Sequence, residues 1–333
     1  MSLRRGTLES VSQLSMETNP LMKQNKADHL LLRVPRLLYF HEIPKWQQDN
    51  EFLLSGYRPT SGSTWISYNG ILYLHNQTIN IYSHLVGCIV FCILPFYFYW
   101  IYYQSQANAQ VDDVVVISIY CLGVAVCFAF SATLVELFRP SIHVVANHFS
   151  RFHILWNHSQ ALTSFWNKLD YLGILVLMWG AGIPTIYYGF FCNQNLQRFY
   201  WMTTSGTALG CAIVTLHPRF ISPQFRHWRA CFYGGFGLSS IIFVVHGLIL
   251  HGWELQKAHM SLNWMGWMAT SNLTGAIIYA ARVPERWVPH KFDIFGASHQ
   301  ILHVAVIIAA VIHFYGLLNA FSIIRSKVDT CVN

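Results

Sequence analysis

Two histidines, His299 and His303, stand four residues apart at the head of an apolar run from Ser298 to Tyr315. On a helix, positions i and i+4 share one face a turn apart, so both imidazoles can approach a single metal ion. Two nitrogens are only part of a metal site. A third histidine and a nearby carboxylate would complete the set that suits a catalytic zinc, with solvent in the fourth position. The chain carries further histidines to draw on. His143, His148, His153 and His158 lie between the second and third apolar runs. His75 and His84 bracket the start of the first, with Asn76, Asn80 and Ser83 between them. The second run ends Phe130-Ser131-Ala132-Thr133, and the third begins Lys168-Leu169-Asp170-Tyr171.

The elements that must position these residues are membrane helices. The chain is 54% hydrophobic and 11% charged, whereas soluble domains are about a quarter charged. Apolar stretches fall at about 80–103, 114–133, 169–190, 199–217, 229–250, 262–281 and 299–321. Each approaches the roughly 20 residues that a spanning helix needs. The expected fold is an all-α, seven-transmembrane helical bundle in a plasma membrane or endomembrane. Residues 1–28 are expected to form a disordered cytosolic tail and 29–79 a pre-bundle segment. Within the latter, the basic-apolar stretch 29–40 lies either on the membrane surface or as an ordered linker packed under the bundle. The bundle takes 80–321 and a short outer tail 322–333. Lys and Arg number seventeen on the N-terminal side of this scheme and four on the other. The positive-inside rule then sets the N-terminus in the cytosol and the C-terminus outside. His299, His303, Ser131, Asp170 and the first-span polar cluster thereby share the cytosolic end. Ionisable groups at membrane depth are costly and face the bundle interior, which marks them as functional.

Other features read more plainly. The net charge of +7 is that of cytosolic loops and calls for no nucleic acid. The eight cysteines read as buried thiols packing as small hydrophobes. Gly206 and Gly210 form a GxxxG expected to bring helices close together. His246 and His313 are isolated, which favours packing or interfacial roles. No lysine lies within a span to hold a retinal, and no further acidic or histidine chain crosses the membrane as a transport path.

Four motifs resemble the progestin and adipoQ receptor family, also called haemolysin-III related, which includes adiponectin receptors. They are Asp49-Asn50-Glu51-Phe52-Leu53-Leu54-Ser55-Gly56-Tyr57-Arg58-Pro59, His75-Asn76-Gln77-Thr78-Ile79-Asn80-Ile81-Tyr82-Ser83-His84, Leu169-Asp170-Tyr171-Leu172-Gly173-Ile174 and His299-Gln300-Ile301-Leu302-His303. The resemblance covers about residues 30–321 and is nearest to fungal members. It implies zinc at His299 and His303, a carboxylate at Asp170 near the metal's water, and a supporting Ser131. The family's second-span motif, a Ser followed four residues later by a His ligand, is interrupted here. Omitting 134–151 joins Ser131-Ala132-Thr133 to Phe152-His153 and restores the spacing, which favours His153 as third ligand with His143 as the alternative. Residues 134–151 then read as a retained intron or gene-model error, against a genuine divergent loop; a transcript lacking that segment is the check.

The resemblance further implies zinc-dependent hydrolysis of a lipid amide such as ceramide, linked to lipid signalling. The alternatives are a ligand-binding receptor with structural zinc, or a regulator of zinc or sterol homeostasis. The partners expected are a membrane acyl lipid and an extracellular protein or sterol.

Overall fold

The computed structural model describes residues 35–132, 160–217 and 226–326. The expected tail 1–28, the 134–151 insertion, His143 and His153 lie outside the described residues. Within them the chain is helical, and seven long helices stand where the apolar stretches predict spans. These are α1 (Thr78–Tyr97), α2 (Val111–Ala132), α3 (Gln160–Gly189), α4 (Gln194–Leu216), α5 (Arg226–His251), α6 (Leu262–Ala281) and α7 (Ser298–Arg325). Pro95 cannot donate to the helical ladder, and α1 passes at Phe98–Tyr102 into a π turn before ending at Ser105.

Five of these helices are long and apolar enough to cross a membrane: 78–105, 111–132, 167–189, 231–251 and 298–325. The two others, α4 and α6, have 23 and 20 residues and carry Asn, Ser and Thr side chains along their length. Several of those hydroxyls donate to carbonyls one turn back: Thr203 to Phe199, Thr207 to Thr203, Thr215 to Cys211 and Thr270 to Gly266. Ser271 donates across to Ala305 of α7. These polar groups are thus satisfied within the helices that carry them or by a neighbour.

The main core lies among α1, α2, α3 and α7 and includes Phe91, Ile117, Tyr120, Val124, Phe128, Tyr188, Phe314 and Phe321. Large apolar side chains also line the outside of the bundle, Ile93, Leu122, Ile213, Ile242 and Ile308 among them. An apolar exterior of this extent belongs in lipid. Lipid supplies no hydrophobic force between helices, so close backbone approach and hydrogen bonds must hold them. The α2–α3 pair shows the first: a Cβ on Gly123 would stand 3.0 Å from the Val176 carbonyl, and one on Gly173 3.0 Å from Cys127 Cα. The expected GxxxG contact is not found. Gly206 and Gly210 face outward on α4 with nothing within 4 Å among the described residues, because α4 turns its Tyr200 and Cys211 face inward instead.

The second device appears where α2 begins and α7 ends. Arg325 Nε and Nη2 donate to both carboxylate oxygens of Asp113 at 2.8 and 3.0 Å. Tyr188 donates to the same carboxylate, and Arg325 Nη2 also donates to Tyr187 Oη. The pair is almost wholly buried. In the nearby α3–α4 connection Cys192 is disulfide-bonded, a departure from the packed thiol expected. Cys88, Cys121, Cys127 and Cys211 are buried free thiols as expected, whereas Cys92 and Cys231 are exposed.

At the other end, the described part of the pre-bundle segment packs against the start of α7. Leu38 and Tyr57 exchange backbone hydrogen bonds of 2.7 and 3.1 Å. Ile43, Leu53 and Tyr57 form a small core with Ala297, the residue before α7.

Candidate functional site

The predicted pair sits in the first turns of α7. The His299 and His303 rings are 4.8 Å apart between centroids, as the i, i+4 spacing requires. His303 is buried, and His299 lies against the Tyr279 ring at 5.1 Å.

A third imidazole joins them. His84 of α1 stacks on His303 at 3.7 Å and lies 4.7 Å from the Phe128 ring of α2. Gly87 makes this possible: one turn beyond His84, a Cβ there would stand 2.8 Å from the Phe128 ring, so only a glycine lets α1 seat so closely. Both ring nitrogens of His84 are buried without a hydrogen-bond partner among the described residues. Buried polar atoms are almost always bonded. This point therefore favours a polar occupant from outside the described residues, be it ion, water or side chain.

The second predicted pair also meets. Ser131, buried and one turn beyond Phe128 on α2, lies beside Asp170 on α3. The close α2–α3 approach at Gly173 and Cys127 sets this contact. His84 thus links His303 of α7 to Phe128 of α2, and Ser131 and Asp170 lie at the same end of the bundle. Among the described residues no three His, Cys, Asp or Glu side chains are gathered to hold one metal ion. His299 and His303, two of the residues expected to hold zinc, lie side by side. His153 and His143 lie outside the described residues.

The entry to α7 is built with care. Ala297, its N-cap, offers no capping side chain. The Ser298 amide and hydroxyl donate instead to Glu285 in the α6–α7 connection. Gln300, between the two histidines, donates to the Ile294 and Asn76 carbonyls and accepts from the Gly296 amide at 2.6 Å. Nearby, the His75 amide donates to Thr78 Oγ1, and His75 Nδ1 accepts from the Gln77 amide at 3.0 Å. Burial, and next the Arg58 charge, push His75 down to about 3.

His84, Glu285 and Gln300 were not assigned roles from the sequence. An ionisable group within an apolar run signalled His84, but its partner depends on how α1 and α7 meet. Nothing in local spacing marks Glu285. The two lone histidines are packed: His246 Nδ1 pairs with Tyr200 Oη at 2.7 Å, and His313 is buried against the Tyr120 ring.

A family model described as haemolysin-III related matches residues 72–314. The chain is 36% identical over 282 residues to an adiponectin receptor protein of Drosophila melanogaster, covering 85% of this chain and 59% of that protein. It is 36% identical over 282 residues to progestin and adipoQ receptor-like protein 1 of Caenorhabditis elegans, covering 85% and 60%. It is 33% identical over 300 residues to ADIPOR-like receptor IZH2 of Saccharomyces cerevisiae, covering 88% and 87%. The chain therefore spans about three-fifths of the length of the fly and worm relatives and most of the yeast one.

Proposed function

The chain belongs to the haemolysin-III related family of multi-pass membrane proteins, and from that membership we propose that it is a seven-span zinc-binding receptor whose site retains the chemistry of a lipid-amide hydrolase. The observation that carries this reading is the stacking of His84 on His303 beside His299, with Ser131 and Asp170 at the same end of the bundle.

Seven spans follow if α4 and α6 join the five apolar helices, which their internally bonded hydroxyls support. An N-terminus in the cytosol is supported by the basic-residue bias. It is also supported by the Cys192 disulfide at the opposite end, since disulfides persist in oxidising compartments.

His299 and His303 would hold the metal, with His153 from the sequence pattern as the third ligand. Zinc, when bound, supplies a Lewis acid and a hydroxide source near neutral pH. Asp170 would accept a proton at its carboxylate, and the Ser131 hydroxyl keeps that carboxylate oriented. Phe128 and the surrounding apolar side chains exclude water, which suits an acyl amide such as ceramide entering from the bilayer.

A receptor with structural zinc is the second reading, and the names of the relatives support it. The two separate on Asp170→Ala. A hydrolase loses about a hundredfold or more in amide cleavage while keeping zinc and fold. No amide cleavage by the wild type, with Asp170→Ala tolerated and His299→Ala collapsing the fold, would leave the structural reading. Absence of zinc from the purified protein would remove both.

A further inference from the structure

We propose that Glu285 is the positioning residue of the His299–His303 pair and couples it to the cytosol-facing pre-bundle segment. This rests on reading those histidines as metal ligands.

Glu285 is 1% exposed in the connection before α7. Its Oε2 accepts from the Ser298 amide at 2.8 Å, and its Oε1 accepts from the Ser298 hydroxyl and from Asn50 Nδ2, the latter at 2.9 Å. All three donors are neutral, and among the described residues no basic side chain pairs with this carboxylate. A buried carboxylate is costly unless its charge is used. Here it faces the exposed amide dipoles at the start of a 28-residue helix, where a negative charge is stabilising. With Ala297 unable to cap, Glu285 replaces the cap at Ser298. The same carboxylate grips Asn50, so the first turn of α7 and the pre-bundle segment share one anchor. Asp293 provides the contrast. It binds that segment through the Leu54 amide and the Ser55 hydroxyl, with no hydrogen bond to α7 among the described residues.

Outer partners that fix a ligand's orientation are worth about 10–100-fold in metal affinity. The experiment compares wild type, Glu285→Gln and Asp293→Asn. Amide hydrogen exchange over 298–303 is read in metal-free protein, and zinc affinity is read by competition with a chelating dye. Glu285→Gln is expected to speed exchange in that turn and to weaken zinc binding about tenfold or more, with Asp293→Asn matching wild type in both. Unchanged exchange in Glu285→Gln overturns the proposal whether or not zinc binds. Faster exchange with wild-type zinc affinity overturns its bearing on the site. Faster exchange in a protein whose wild type takes no zinc upholds the anchor and sinks the metal reading instead.

Discussion

His75 shows how a side chain outside the histidine pair sets conditions for the site. It is buried, and its Nδ1 must remain unprotonated to accept the Gln77 amide. Held down at about 3 in the folded chain, against about 6.5 when unfolded, it favours the fold above pH 6.5. Below that the unfolded chain binds the extra proton, so stability falls as pH drops from 6.5 toward 3. The loss should be on the order of 2 kcal/mol by pH 5. Thermal unfolding in detergent at pH 7 and pH 5 measures it, and His75→Gln should flatten the difference. Legibility at this scale followed from whether a residue's partner is near in sequence. His299 and His303 were readable because four residues separate them on one helix. Ser131 and Asp170 were readable as ends of consecutive runs. His84 was visible as a polar residue at the first span, but its stacking on His303 spans more than two hundred positions. Glu285 sits in a connection without periodicity, and its role exists only once α7 is in place.

At the level of elements, α7 is fastened at both ends by buried polar groups. Glu285 and Gln300 hold its start, and Arg325 holds its finish against Asp113 of α2 and Tyr187 of α3. Removing one partner of a buried ion pair leaves an uncompensated charge and costs about 3–5 kcal/mol. Arg325→Met should lower thermal stability by that order. Adding Asp113→Leu should recover most of it, and a double variant no better than the single would show that the loss comes from packing on Phe191 rather than from charge. The helices themselves were legible from apolar run length. Their sides were not. The GxxxG of α4 carries the right residues for a close contact, yet the deciding contacts use Gly123, Gly173 and Gly180 on α2 and α3. Small residues permit close approach without specifying which helix approaches.

For the whole molecule, the two ends differ in kind. One gathers the histidines, the Ser131–Asp170 pair and the folded pre-bundle cap, and the other the Asp113–Arg325 pair and the Cys192 disulfide. The alternation of the apolar runs put His299, His303, Ser131 and Asp170 at one end, whereas the packing of Tyr57 against Ala297 could not be read from either stretch. The double fastening of α7 reaches beyond the protein. Twenty-eight residues make a rod of about 42 Å, against a hydrocarbon layer of about 30 Å. A helix free at one end meets such a mismatch by tilting. With both ends tied to its neighbours, α7 can tilt only if the bundle tilts with it, so the surrounding lipid has to adjust. Stability in phosphatidylcholine bilayers of increasing acyl length should therefore pass through a maximum, and a flat response would show that the ties yield. Hydrophobic thickness would then select the membrane in which this chain resides.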